Sequence, residues 1–214
     1  MEITKTTREA VYLRRYTELP QLIEMLKSRT ITLNDPKNWD DQNDAVLLEK
    51  YRQKRELGKI FALCFTEAAE TYHHWKIYGG SVSGVCIEFV KARFLASIPK
   101  NEGFRHGPVK YVRVDALSSY QNSVSKWPFL KRLPFSGEKE YRLIFKDREH
   151  GEHTAHQMNL DLKTINHIYL SPWMHKNTAD AVAEMIRYLP QCCDLNVTKT
   201  TLVSNRQWSK ALKV

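Results

Sequence analysis

The sequence predicts one α+β domain covering residues 1–214, in which strands and helices are mixed rather than strictly alternating. Two patterns carry this. Short apolar runs with strand character, such as Phe61-Ala62-Leu63-Cys64-Phe65 and Gly84-Val85-Cys86-Ile87-Glu88-Phe89, are separated by segments with helical spacing. No linker rich in Gly, Pro or Ser divides the chain.

Val11 to Tyr16 reads as a first strand, with Thr17 expected to cap a helix that has Pro20 in its first turn. Leu19, Leu22, Ile23 and Leu26 recur at i, i+3, i+4 and i+7, forming one apolar helix face. Ile31-Thr32-Leu33 is a brief extended piece, ended by the turn-forming Asn34-Asp35-Pro36. Ala45 to Leu57 is helical in character, as is Tyr72 to Tyr78 between the two buried strands. Val109 to Val114 alternates as a half-exposed strand, and Glu140 to Phe145 supplies another. A charged loop follows, then a strand at Ile168 to Leu170, a helix from Thr178 to Leu189 and a last strand from Asn196 to Val203.

At 214 residues the chain can bury a full core, and 42% apolar with 27% charged residues excludes a fibre or a disordered chain. There is no apolar run of about 18 residues, and Met1-Glu2-Ile3-Thr4-Lys5 lacks the apolar centre of a secretion signal, so a cytoplasmic protein with no membrane partner is expected. Cys64, Cys86, Cys192 and Cys193 have no C-x-x-C spacing and read as reduced, mostly core residues. With 33 Lys and Arg against 24 Asp and Glu, the net charge of +9 favours nucleic acid or phosphate-bearing ligands, although a basic surface that only aids solubility explains it equally well.

On a regular strand, Glu138, Glu140 and Arg142 share one face while Tyr141, Leu143 and Phe145 occupy the other. Two carboxylates about 7 Å apart at an effective dielectric near 20 repel by about 2 kcal/mol, so nearby cations must offset them. An exposed face with cross-strand ion pairs is the plainer reading of that pattern. Arg15 can grip a phosphate or ribose hydroxyl, or form a surface ion pair, and Arg14 points the opposite way. Trp75 and Tyr78, at i and i+3, suit core packing or an aromatic wall for a base or nicotinamide ring. His150, His153 and His156 are spaced so that their rings fan around a helix instead of converging, and no metal is expected. Phosphate loops of the G-x-x-x-x-G-K-[ST] type, G-x-G-x-x-G, G-x-S-x-G and H-E-x-x-H are all absent.

Leu13 to Thr17, Asn34-Asp35-Pro36, Leu63 to Thr66, Trp75-x-x-Tyr78, Gly84 to Phe89 and Glu138-x-Glu140-Tyr141-Arg142, in this order, resemble a large bacterial family of unknown function. The same residues resemble the arginine-serine-glutamate branch of the ADP-ribosyltransferase superfamily. That branch has a basic residue on its first strand, an S-T-S-like motif on a middle strand and aromatic-x-[small]-[EQ]-x-E before an apolar strand. Arg15 falls at the first position, Cys64-Phe65-Thr66 stands at the second, keeping only one hydroxyl, and Phe135-x-Gly137-Glu138-x-Glu140 matches the third.

The resemblance implies a mixed fold of two small packed β-sheets flanked by helices, and NAD⁺ as substrate. It implies Glu140 as the carboxylate that stabilises the ribosyl cation, Glu138 as the group that orients or deprotonates the acceptor, and Thr66 as a hydrogen-bonded brace for Glu140. Arg15, Tyr16, Trp75 and Tyr78 would bind the cofactor and Phe135 would touch the acceptor. A macromolecular acceptor is implied, RNA or DNA before protein. So are a role as a bacterial toxin or anti-phage effector and a possible antitoxin protein. Two other classes remain: a non-catalytic nucleic-acid-binding module on the same fold, and a metal-dependent nuclease using Asp40, Asp41 and Asp44 or the histidines.

Overall fold

The computed structural model describes residues 11–100, 103–149 and 151–211. The leader reading of Met1 to Lys5 and the first of the spaced histidines, His150, lie outside the described residues. The elements run β1 (Tyr12–Glu18), α1 (Leu19–Ser28), β2 (Thr30–Asn34), α2 (Gln42–Lys54), β3 (Lys59–Thr66), α3 (Tyr72–Tyr78), β4 (Gly84–Val90) and α4 (Lys91–Ser97). They continue with β5 (Phe104–Pro108), β6 (Lys110–Val112), β7 (Leu130–Arg132), β8 (Glu140–Asp147), β9 (Ala155–Asn159), β10 (Ile165–Leu170), α5 (Lys176–Tyr188), β11 (Val197–Lys199) and α6 (Arg206–Ala211). Short 3₁₀ turns fill much of the stretch between β6 and β8. Among the described residues no helix is long and apolar enough to cross a membrane.

Local chemistry accounts for most boundaries. Thr17 does not cap α1, because pairing of β1 with β4 continues through Thr17↔Val85 and Glu18↔Gly84 and keeps the backbone extended. The first helical N–H, on Leu19, donates instead to the Ser83 carbonyl at 2.9 Å. Asp41 caps α2 through Oδ1, which accepts from the Asn43 N–H at 3.1 Å, and Thr71 caps α3 by accepting from the His74 N–H at 3.1 Å. The strand expected over residues 109–114 is shorter, Lys110–Val112, because the preceding segment is already committed to β5 on the outer edge of β8. The last expected strand likewise stops at Lys199 and gives way to a turn and α6. β5, β9 and α4 carry no strong sequence signal and were not expected.

The fold differs from two separate packed sheets. One nine-stranded sheet runs β11-β10-β4-β1-β3-β2-β9, with β8 branching from β3 and carrying β5; a separate two-stranded ladder joins β6 and β7 in parallel. The branch point is β3. One of its edges pairs with β8 along its whole length, from Lys59↔Asp147 to Thr66↔Glu140. Its other edge is shared, touching β2 at Asn34↔Ala62 and β1 at Arg14↔Thr66. Between those contacts β1 and β2 diverge. Arg15 occupies the fork, its Nη1 donating to the Cys64 carbonyl at 3.2 Å in place of a strand partner.

Strand alternation then sorts the two faces. On one face Leu13, Phe61, Leu63, Phe65, Val85, Ile87, Phe89, Tyr141 and Leu143 build the main core with residues of α1, α4 and α5. The opposite face is split. Tyr16 and Cys86 pack with Trp75 of α3 on one half, and Ile60, Ala62 and Ile144 pack with Leu48 and Tyr51 of α2 on the other. Between these two patches the same face carries Arg14, Cys64, Thr66, Glu140 and Arg142, polar residues that neither helix covers with apolar side chains. Phe89 is fully buried against Phe65 and Phe94, with ring centroids 5.8 and 5.0 Å away. Phe89→Ala is expected to destabilise the fold by about 3–5 kcal/mol, read as a lower urea midpoint with an unchanged slope.

Candidate active site

The uncovered strip opens as a cleft of about 150 Å³, bordered by Arg14, Arg15, Tyr16, Trp39, Cys64, Thr66, His74, Tyr78, Lys131, Glu138 and Glu140. Six residues expected from sequence meet here: Arg15, Tyr16, Thr66, Tyr78, Glu138 and Glu140. Trp75 does not. It is fully buried, stands edge-on to Tyr16 at 5.1 Å, and its Nε1–H donates to Glu70 at 2.7 Å. The face it would have offered to a ligand belongs to Tyr16, because the inward side of α3 packs onto β1. Phe135 lies in the 3₁₀ turn before β8, half-buried beneath the Lys131 ammonium at 4.9 Å, and is not part of the cleft wall.

At the floor is a buried charge cluster centred on Arg142. The guanidinium is fully buried; its Nε donates to Glu140 Oε1 at 2.7 Å, Nη1 and Nη2 donate to the two Asp44 oxygens at 3.0 and 2.6 Å, and Nη1 also reaches the Pro128 carbonyl at 3.0 Å. Lys131 bridges Glu138 at 2.6 Å and Glu140 at 3.2 Å, so it supplies the cation that two neighbouring carboxylates require. Burial disfavours the Glu140 carboxylate, but the Arg142 charge and hydrogen bond, the Lys131 charge and the Cys64 thiol outweigh it and draw the group down to about 2. Glu140 is therefore an anion, held on one side and open to the cleft on the other. The Cys64 thiol is pushed well up, first by burial and then by the Glu140 charge, and stays protonated.

The backbone that aims the two glutamates is itself pinned. Lys139 adopts φ 44°, a left-handed conformation uncommon for a side chain, where the 3₁₀ turn becomes β8. The Glu140 N–H donates to the Tyr111 hydroxyl at 2.7 Å, and Thr66 Oγ1 donates to the Glu138 carbonyl at 2.5 Å. This corrects the expected role of Thr66. Its short side chain, paired in register with Glu140, reaches neighbouring main chain, while the Glu140 carboxylate extends along the strand to Arg142. Tyr78 donates its hydroxyl to Glu138 Oε1 at 2.7 Å, and the His74 ring, stacked 5.6 Å from Tyr16, is driven toward its neutral form by burial.

On the opposite wall the arginines divide the work. Arg14, the register partner of Thr66, shares the face of Glu140 but is neutralised by buried Glu88 at 2.5 Å and donates to the Ala68 carbonyl. Arg15 has the Cys64 carbonyl as its hydrogen-bond acceptor and no carboxylate partner among the described residues. Its cationic charge is uncompensated.

Sequence reasoning missed Lys131, Asp44 as the second carboxylate on Arg142, and Cys64 as a neighbour of Glu140. Lys131 had no local signal, since it reaches the site through the β7 ladder. Asp44 was legible only as part of an acidic cluster. That cluster disperses, with Asp41 capping α2, Asp44 bound to Arg142 and Asp40 exposed. His153 pairs with Asp147 at 2.6 Å and His156 stacks on Phe145 at 3.6 Å. Among the described residues no group of three or more His, Cys, Asp or Glu is arranged to hold a metal ion.

Two consequences can be measured. Arg142→Met leaves Asp44 and Glu140 buried without their main cation, so a loss of about 3–5 kcal/mol in unfolding free energy is expected, and the double variant Asp44→Leu with Arg142→Met should recover part of it. Glu140 falls from its ordinary 4.5 to about 2 on folding. It therefore contributes about 3 kcal/mol above pH 4.5 that is lost as pH drops toward 2. Urea midpoints of wild type and Glu140→Gln should converge across that window, and parallel curves would contradict this origin.

A scan against models of known protein families gives no match, and no curated protein matches the sequence. Among solved structures the chain is similar to Thermus sp. 2.9 DarT in complex with ADP-ribosylated ssDNA, at 12% identity and a TM-score of 0.46, over 90% of this chain and 95% of that one.

Proposed function

We propose that the chain is a NAD⁺-dependent ADP-ribosyltransferase acting from this cleft. The observation that carries the reading is an ionised, rigidly held Glu140 facing a cationic wall, with aromatic sides between them. Such a site fits a ligand with an anionic end and a ring system, whose reacting centre becomes positive.

The chemistry follows from the charges. Heterolysis of the bond between C1′ of the ribose and nicotinamide sends the electron pair out with nicotinamide and leaves an oxocarbenium-like cation on the ribose. A carboxylate that is already ionised and oriented stabilises that cation without reorganising in the transition state. Glu140 has that property because Arg142 and Lys131 hold it as an anion. Arg15, whose charge has no carboxylate partner among the described residues, binds the pyrophosphate or a ribose hydroxyl, with Arg14 beside it. Tyr16 and Tyr78 flank the nicotinamide-ribose. Glu138, tethered by Tyr78 and Lys131, turns to the acceptor and orients it or takes its proton as the new bond to C1′ forms.

Labelled NAD⁺ incubated with cellular RNA, DNA and protein tests this directly. Wild type should split NAD⁺ and transfer label, and Glu140→Gln should lower kcat by about 10²- to 10³-fold while KM for NAD⁺ changes little. Arg15→Ala should instead raise KM. Because Glu140 is drawn down to about 2, its own protonation should leave kcat/KM of the wild type unaffected above pH 4, which a pH–rate profile checks. Wild type that neither cleaves NAD⁺ nor transfers label sinks the proposal and favours a purely nucleic-acid-binding module.

A further inference from the structure

Beyond the cleft, a second groove of about 460 Å³ adjoins the first, since Lys131 borders both. Its floor is apolar, with Val46, Val114 and Leu117 at 50%, 69% and 41% exposure. Its rim is cationic: Lys50 and Arg132 are exposed and have no acidic partner among the described residues.

The chain segment forming much of this region, residues 104–139, contains seven Lys and Arg against two Asp and Glu, so it carries +5 of the net +9. Six aromatic residues are interleaved with them, three lying under cations: Arg105 over Phe129 at 5.2 Å, Lys110 over Tyr120 at 5.4 Å and Lys131 over Phe135 at 4.9 Å. Asp41 lines the groove, and its Oδ2 is buried with no hydrogen-bond partner among the described residues.

We propose that this groove holds the acceptor, an unpaired nucleobase of a single-stranded nucleic acid, and delivers it to the cleft past Lys131. This rests on the transferase reading above and specifies its substrate class. An apolar floor accepts the flat face of a base, whereas a duplex shows proteins only base edges. Cations on the rim with nothing to neutralise them match the phosphates on either side of that base. Asp41 Oδ2 needs a donor, and the N–H groups on the pairing edge of a base are free to donate only when the base is unpaired. An acidic protein segment would satisfy the rim but gains nothing from an extra buried carboxylate.

The experiment is fluorescence polarisation of the full chain with a short labelled oligonucleotide, single-stranded and as its duplex, over a salt series, alongside the NAD⁺ assay. Single strand should bind at least tenfold tighter than duplex. Lys50→Ala with Arg132→Ala should weaken binding about tenfold and reduce the salt slope by about 0.7 for each phosphate contact removed. Asp41→Asn, which keeps the α2 cap but replaces the acceptor oxygen with a donor, should cost about fivefold or more. Thermal melting checks that each variant is folded, and Leu117→Asp, at an exposed position, is an independent block of the floor. The inference is overturned if folded variants of Lys50 with Arg132 and of Leu117 bind and modify oligonucleotide like wild type, or if label goes to protein alone. Wild type that binds single strand through this groove but never cleaves NAD⁺ overturns the transferase reading instead.

Discussion

The guanidinium of Arg142 is the point on which the site depends. It lies fully buried on β8, with four of its five N–H donors bound to Glu140, to both Asp44 oxygens and to a main-chain carbonyl. A buried cation of this kind is tolerated only because both carboxylates are present, and they are tolerated only because it is. The reciprocity ties α2, β8 and the turn ending at Pro128 into one unit. It also sets the electrostatic state of the cleft, because the same contact that balances Arg142 holds Glu140 as an anion at any physiological pH.

The second constraint is topological. β3 cannot pair with both β1 and β2 along one edge, and their divergence leaves main chain at Cys64 to be satisfied by a side chain. Arg15 fills that role and is thereby fixed at the cleft with one hydrogen bond to protein and no counter-charge among the described residues. A fork in a sheet thus does two things: it opens the space for a ligand and installs a cation beside it. Glu140 sits across that space because Thr66↔Glu140 and Arg14↔Thr66 place three strands in register at the open end of the fork.

Charge also organises the surface around the cleft. Residues 104–139 fold largely as 3₁₀ turns and short strands, and their cations rest on their own aromatic rings. Such pairs pre-order long side chains that would otherwise lose entropy on meeting a polyanion. The groove beside Lys131 joins this basic region to the buried cluster, so a ligand seated there lies beside the cation that holds Glu140.

Much of this was legible in the residues alone. Helix spacing located α1 and α3, apolar runs located β3 and β4, and period-two alternation correctly put Glu140 and Arg142 on one face and Tyr141 and Leu143 on the other, because each of these signals is local. The motif around Phe135 to Glu140 directed attention to the carboxylates that do meet in the cleft. The faces of Arg14 and Arg15 were distinguished, but not which one ends beside Glu140 and which enters the fork, since that depends on strand register. Thr66 was given the wrong target for the same reason. Asp44 lies far from Glu140 in sequence and reaches the cluster only through the packing of α2, and Lys131, nine residues before Glu140, meets it only because the β6–β7 ladder and the following turn fold back. Sequence by itself determined most of the elements, the net charge and the acidic pair; tertiary structure decided which cations hold that pair, because a charge buried by folding takes whichever partners the chain topology brings within reach.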